Sequence, residues 1–112
     1  MKENLYILWT NKEEITSEKM VMMYATNAMR YAWWTNITVI IWGGPNELIK
    51  ESESIKALIK EAQNEGVKFS ACKACADELG TTELLQDLGI EVIYWGDGLT
   101  KILKDEDALL TV

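Results

Sequence analysis

Two cysteines stand three residues apart in this sequence, as Cys72-Lys73-Ala74-Cys75. The run before them, Val67 to Ala71, predicts a β-strand. The run after Cys72 predicts a short helix from Lys73 to Leu79, ended by Gly80 as a C′ glycine. A cysteine at that junction is set up for thiol chemistry. Backbone N–H groups at a helix start favour an anion, and Lys73 adds a positive charge beside it. Both would draw the Cys72 thiol toward the thiolate, the form that takes up sulfur, exchanges disulfides or is oxidised. Cys75, one helical turn on, is spaced to resolve a mixed disulfide or a persulfide on Cys72. The plain alternative is that both are small buried hydrophobes, as free cysteines often are. The Cys-x-x-Cys spacing alone leaves both readings open.

Other chemistries are narrowed by what the chain lacks. It has no His, so Ser-His-Asp and Cys-His catalysis within one chain are excluded, and the commonest zinc ligand is missing. Two thiols do not complete a four-ligand metal site, and no cofactor is expected. A thioredoxin-type oxidoreductase fits badly, because the single proline is Pro45, far from the cysteines. The net charge of −7, with Lys and Arg scattered, offers no basic face for nucleic acid. No apolar run approaches the roughly 18 to 20 residues that span a bilayer. Nothing at the amino terminus reads as a signal peptide, so a cytoplasmic location is the expectation.

The elements that must position the cysteines follow from hydrophobic patterning. Strands are predicted at Asn4 to Thr10, Ile37 to Trp42, Val67 to Ala71 and Ile90 to Trp95, with an edge strand at Ala108 to Val112. Between them fall helices from Thr16 or Ser17 (as N-cap) to about Trp34, from Pro45 to Gly66 with a break near Ser52 to Ser54, from Lys73 to Leu79, from Thr81 to Leu88, and from Leu99 to Lys104. This alternation predicts one domain over residues 1–112: a three-layer α/β/α fold with a mostly parallel sheet of about five strands. Ligand sites in such sheets gather where strand C-termini meet the following loops. Trp42-Gly43-Gly44 and Trp95-Gly96-Asp97 fall there with the cysteines, and are candidate binding segments with Lys73. The glycine pair matches neither a P-loop nor a dinucleotide fingerprint, and a tight turn explains it as well. Trp9, Trp42 and Trp95 all end strands, either as walls of a pocket beside Cys72 or as core.

The first helix carries two apolar stripes. Val21, Tyr24, Ala25, Ala28, Tyr31 and Ala32 suit the sheet, while Met22, Met29 and Trp33 lie roughly 120° away. The second stripe predicts an interface between copies of the chain, since Met and aromatic residues are enriched at such surfaces.

The run Gly66-Val67-Lys68-Phe69-Ser70-Ala71-Cys72, the short helix to Gly80 and the later Leu88-Gly89-Ile90-Glu91-Val92 together resemble the DsrE/DsrF-like (YchN, Tus-type) family of small sulfur-relay proteins. The resemblance covers most of the chain. It implies a flavodoxin- or Rossmann-like α/β fold and homo- or hetero-oligomers, often trimers or hexamers. It also implies that a cysteine on the loop after a strand carries a persulfide in the sulfur-transferring members, passing it between donor and acceptor proteins. Cys72 matches that position. Cys75 has no counterpart in the pattern, so a thiol redox switch through a Cys72–Cys75 disulfide, or a non-enzymatic binding protein, are the alternatives.

Overall fold

The computed structural model describes residues 2–112. Among them five strands form one sheet: β1 (Asn4–Trp9), β2 (Asn36–Ile41), β3 (Lys68–Cys72), β4 (Glu91–Ile93) and β5 (Ala108–Thr111). The spatial order is β4-β3-β2-β1-β5, and every neighbouring pair is parallel. The Ile- and Val-rich runs explain this. Strands buried on both faces need apolar residues at nearly every position, and Ile37, Val39, Ile40 and Ile41 are all buried. The fold is thus an α/β sandwich with the predicted strand set and the predicted edge position for the last strand.

The helices are α1 (Glu14–Thr16), a π-helical stretch (Ser17–Met23), α2 (Tyr24–Arg30), α3 (Pro45–Glu51), α4 (Glu53–Asn64), α5 (Lys73–Leu79), α6 (Thr82–Asp87) and α7 (Gly96–Lys104). The steps β1→β2→β3→β4 all move the same way across the sheet. Right-handed crossovers therefore put their helices on one face, and the return from β4 to β5 puts α7 on the other. The main core lies under the crowded layer. Leu5, Ile7 and Trp9 of β1, Val39 and Ile41 of β2, and Phe69 and Ala71 of β3 meet Val21, Ala25, Ile49, Ile55, Ile59 and Leu85 there. The break between α3 and α4 falls at Ser52, whose hydroxyl accepts from the Ile55 N–H at 3.1 Å and caps α4.

The first helix departs from expectation in three ways. Its N-cap is Glu13, whose carboxylate accepts from the Thr16 N–H, rather than Thr16 or Ser17. It ends at Arg30, before Ala32 turns left-handed at φ 57°, so Tyr31 to Trp34 lie outside it. Its middle is π-helical, and i→i+5 bonding widens the turn. The wider turn brings Ser17, Val21, Met22, Ala25 and Thr26 onto the buried side. Met22, expected on the outward stripe, is accordingly in the core, and Met29 packs partly against it. Trp33 stays exposed, joined by Tyr31 from the stripe assigned to the sheet. A constant 100° advance per residue does not hold through a π stretch, which is why the stripes mixed.

Candidate functional site

Register brings the loops that follow the strands together. Trp9 is level with Ile41, Ile41 with Ala71 and Ala71 with Val92, while Cys72 pairs with Ile93. Because the sheet is parallel, the segments beginning at Thr10, Trp42, Lys73 and Tyr94 leave along one edge. Cys72 is the last residue of β3 and the extended N-cap of α5, as the sequence predicted. Both cysteines are free thiols, with Cys72 buried and Cys75 half-buried.

Cys72 and the Gly43 backbone N–H both lie near enough to Cys75 to act on its thiol. Burial pushes the Cys75 thiol up to about 11, and the neighbouring Cys72 sulfur adds to it. The Gly43 N–H works the other way, and the Glu78 carboxylate contributes weakly upward. Cys75 therefore holds its proton through neutral pH.

Gly43 is placed by a network that begins well away in sequence. Its φ of +78° is a left-handed conformation that suits glycine. Its carbonyl accepts from the Asn46 side-chain amide at 2.8 Å and from the Asn46 backbone N–H at 3.0 Å. The Asn46 carbonyl oxygen in turn accepts from the Thr81 hydroxyl at 2.6 Å. Asn46 and Thr81 are both fully buried. Gly44 is held by close approach: a Cβ there would sit 2.9 Å from the Thr10 carbonyl oxygen. The glycine pair thus locks the β2 loop between the β1 loop and the cysteines. Sequence reasoning missed Asn46 and Thr81. An Asn in the first turn after Gly-Gly-Pro was a signal for a side-chain bond back to the turn. Nothing local marked Thr81.

Lys73, next to Cys72 in the chain, has partners of its own. Its ammonium pairs with Asp77 at 2.7 Å, one turn along α5, and lies 5.7 Å from the centre of the Tyr94 ring. Asp77 is the main cause of its raised pKa, and Asp77 also accepts from the Thr82 hydroxyl at 2.6 Å.

The three strand-end tryptophans have three fates. Trp9 is core, fully buried, with its indole N–H donated to the Ser17 hydroxyl at 2.9 Å. Trp42 stays half-buried on the loop edge, its backbone N–H bonded to the Trp9 carbonyl. Trp95 turns back over the α7 side of the sheet and donates to the Ser70 hydroxyl at 2.8 Å, which donates to Glu91 at 2.7 Å. The ring lies against Gly98, where a Cβ would be 2.7 Å away. Gly96 and Asp97 open α7 and are exposed. The structure thus groups Gly43 with the cysteines and sets the Trp95 side chain two residues below Cys72 on β3.

Two open cavities lie elsewhere. One, of about 780 Å3, is lined by Tyr6, Thr38, Lys68, Ser70, Glu91 and Trp95 among others. The other, of about 600 Å3, runs between the π stretch with α2 and α4, past Met22, Met23, Arg30, Leu58 and Glu61. Neither is lined by Cys72 or Cys75. The thiol pair sits in a packed loop junction rather than at the base of either cavity.

Comparison with known proteins agrees with this architecture. A conserved protein of unknown function from Bacteroides thetaiotaomicron, BT1422, superposes with a TM-score of 0.95 at 33% identity, over 98% of this chain and 95% of that one. MTH1491 from Methanobacterium thermoautotrophicum, also of unknown function, gives 0.77 at 21% identity, over 99% and 100%. The ychN protein of E. coli gives 0.72 at 15% identity, over the full length of both chains. The last two are similar in fold alone. No curated protein matches the chain. The sequence profile of the DsrE/DsrF-like family matches residues 7–112. With the fold and that match in agreement, the chain belongs to the DsrE/DsrF-like family.

Proposed function

We propose that this protein is a sulfur carrier in which Cys72 holds a persulfide. The Cys72 thiolate attacks the outer sulfur of a donor persulfide. The donor S–S bond breaks, the donor leaves as a thiolate, and Cys72 is left with a terminal sulfane sulfur. An acceptor thiolate then attacks that sulfur and Cys72 departs as thiolate. Each step conserves sulfur and electrons and needs no external oxidant.

The observation that carries this reading is the placement of Cys72, a free thiol that ends β3 and opens α5, with a second free thiol one turn on. Cys75 stands beside it as a protonated thiol. It does not compete for the incoming sulfur, because its own thiolate fraction at pH 7 is about one part in ten thousand. A disulfide switch remains the second reading, favoured by the proximity of the two sulfurs. It requires a two-electron acceptor.

The test is incubation of the reduced protein with a persulfide donor, followed by intact mass measurement. The expected result is a gain of one sulfur atom that reduction removes. No adduct from either small-molecule or protein donors overturns the carrier reading. We further propose that copies associate as a trimer or hexamer through the outer face of the first helix and the turn after it, where Met23, Tyr31 and Trp33 are exposed. Light scattering on the wild type and on Trp33→Glu tests this: an assembly that weakens in the variant is expected, and an unchanged monomer overturns it.

A further inference from the structure

The hydrogen-bond chain behind the thiol pair has no role in the carrier chemistry as written. It runs from Thr81, just past the C′ glycine of α5, through the Asn46 side chain to the Gly43 carbonyl, and Gly43 stands close enough to Cys75 for its N–H to act on that thiol. Both side chains are buried, at 0% and 1% exposure, so each polar atom in the chain depends on its partner within the protein. The Asn46 amide uses one donor on Gly43 and its oxygen on Thr81. That fixes its orientation and ties the loop after β2 to the segment after α5. Cys75 lies on the helix between these two anchored points.

We propose that Asn46, oriented by Thr81, is a positioning residue for the thiol pair: it clamps the Gly43 loop over Cys75 and so sets the depth at which that sulfur is buried beside Cys72. The groups that act on Cys75 are Cys72 and the Glu78 carboxylate on its own helix and the neutral Gly43 amide from the facing loop. Asn46 and Thr81 are uncharged, so they act by placement rather than by field. Releasing the loop admits water to Cys75. Burial is the largest cause of its high pKa and outweighs the downward pull of the Gly43 N–H that is lost with the loop, so exposure lowers that pKa toward its ordinary value and speeds alkylation.

The inference rests on the thiol pair being the working site, but its test does not involve sulfur loading. Failure here and failure of the carrier reading are therefore separable. Alkylation rates of each cysteine by iodoacetamide are measured against pH by mass spectrometry in the wild type, Asn46→Ala, Thr81→Val and Thr81→Ser. Asn46→Ala is expected to alkylate at Cys75 at least about threefold faster at pH 8, with the midpoint moved down. Thr81→Val is expected to shift the same way by less, and Thr81→Ser, which keeps the hydroxyl, to match the wild type. A merely structural role lowers the melting temperature and leaves the midpoints unmoved. Unmoved midpoints in folded Asn46→Ala overturn the proposal. If that variant does not fold, an unmoved midpoint in Thr81→Val overturns it.

Discussion

Replacing Cys72 with Ser is expected to abolish sulfur uptake, while Cys75→Ser is expected to load at neutral pH to an extent close to wild type. The asymmetry follows from the protonation of the pair. Cys75 is held as a neutral thiol by burial and by the sulfur beside it, so at neutral pH it takes no part in the uptake step. The pH dependence sharpens the distinction. Once Cys72 carries a persulfide, the Cys75 thiolate can attack its inner sulfur. That breaks the S–S bond, releases hydrosulfide and leaves a Cys72–Cys75 disulfide. The rate follows the Cys75 thiolate fraction, which rises about tenfold per pH unit below about 11. Loaded wild-type protein is therefore expected to release sulfide about a hundredfold faster at pH 9 than at pH 7, and Cys75→Ser to show no such rise. Sulfide release and intact mass measured over that range check both statements. Uptake surviving in Cys72→Ser, or a pH-independent discharge, would sink them. The same shift bears on folding. A thiol whose pKa rises from 9.0 to about 11 on folding contributes stability that is complete below pH 9 and lost as the pH climbs through 11.

The second large effect concerns Trp9, whose place at a strand end reads as either a pocket wall or core. It is fully buried, and its indole N–H is bonded to the buried Ser17 hydroxyl at the start of the π stretch. Trp9→Ala is expected to cost about 3–5 kcal/mol for the lost packing and the cavity. The orphaned Ser17 hydroxyl adds about 1 kcal/mol or more. Against a total stability of about 5–15 kcal/mol, that is enough to unfold a large share of the molecules at moderate temperature. Trp9→Phe is expected to cost roughly half as much. Urea unfolding followed by far-UV circular dichroism measures both. A loss below about 1 kcal/mol for Trp9→Ala would show that Trp9 is not a keystone of the junction between β1 and the first helix.

Much of the fold was legible because its signals are local. The parallel strands are uninterrupted apolar runs, the end of α5 is marked by Gly80, and the break between α3 and α4 is marked by Ser52 as a cap. The first helix was misread in detail. Periodicity assumes one turn width, and the π stretch from Ser17 to Met23 changes it, carrying Met22 into the core. Residue type marks no π turn. Only the folded chain shows that Trp42 stays at the loop edge while Trp95 folds back onto Ser70.

For the site, the amino-acid order by itself determined that two thiols stand one turn apart where a strand becomes a helix. That much needs only neighbours in the chain. It also located Gly43 and Gly44 at the end of an adjacent strand. The tertiary structure decided what those thiols are. It gave the Lys73 charge to Asp77, buried Cys75 beside Cys72 so that it keeps its proton, and pinned Gly43 over it through Asn46 and Thr81. The Lys73–Asp77 pair is local, four residues apart, but the burial of Cys75 and the Thr81–Asn46 bond, across 35 positions, are properties of the folded chain. No spacing along the chain encodes them, because a thiol's acidity depends on the water it loses and the charges it meets once the chain has folded.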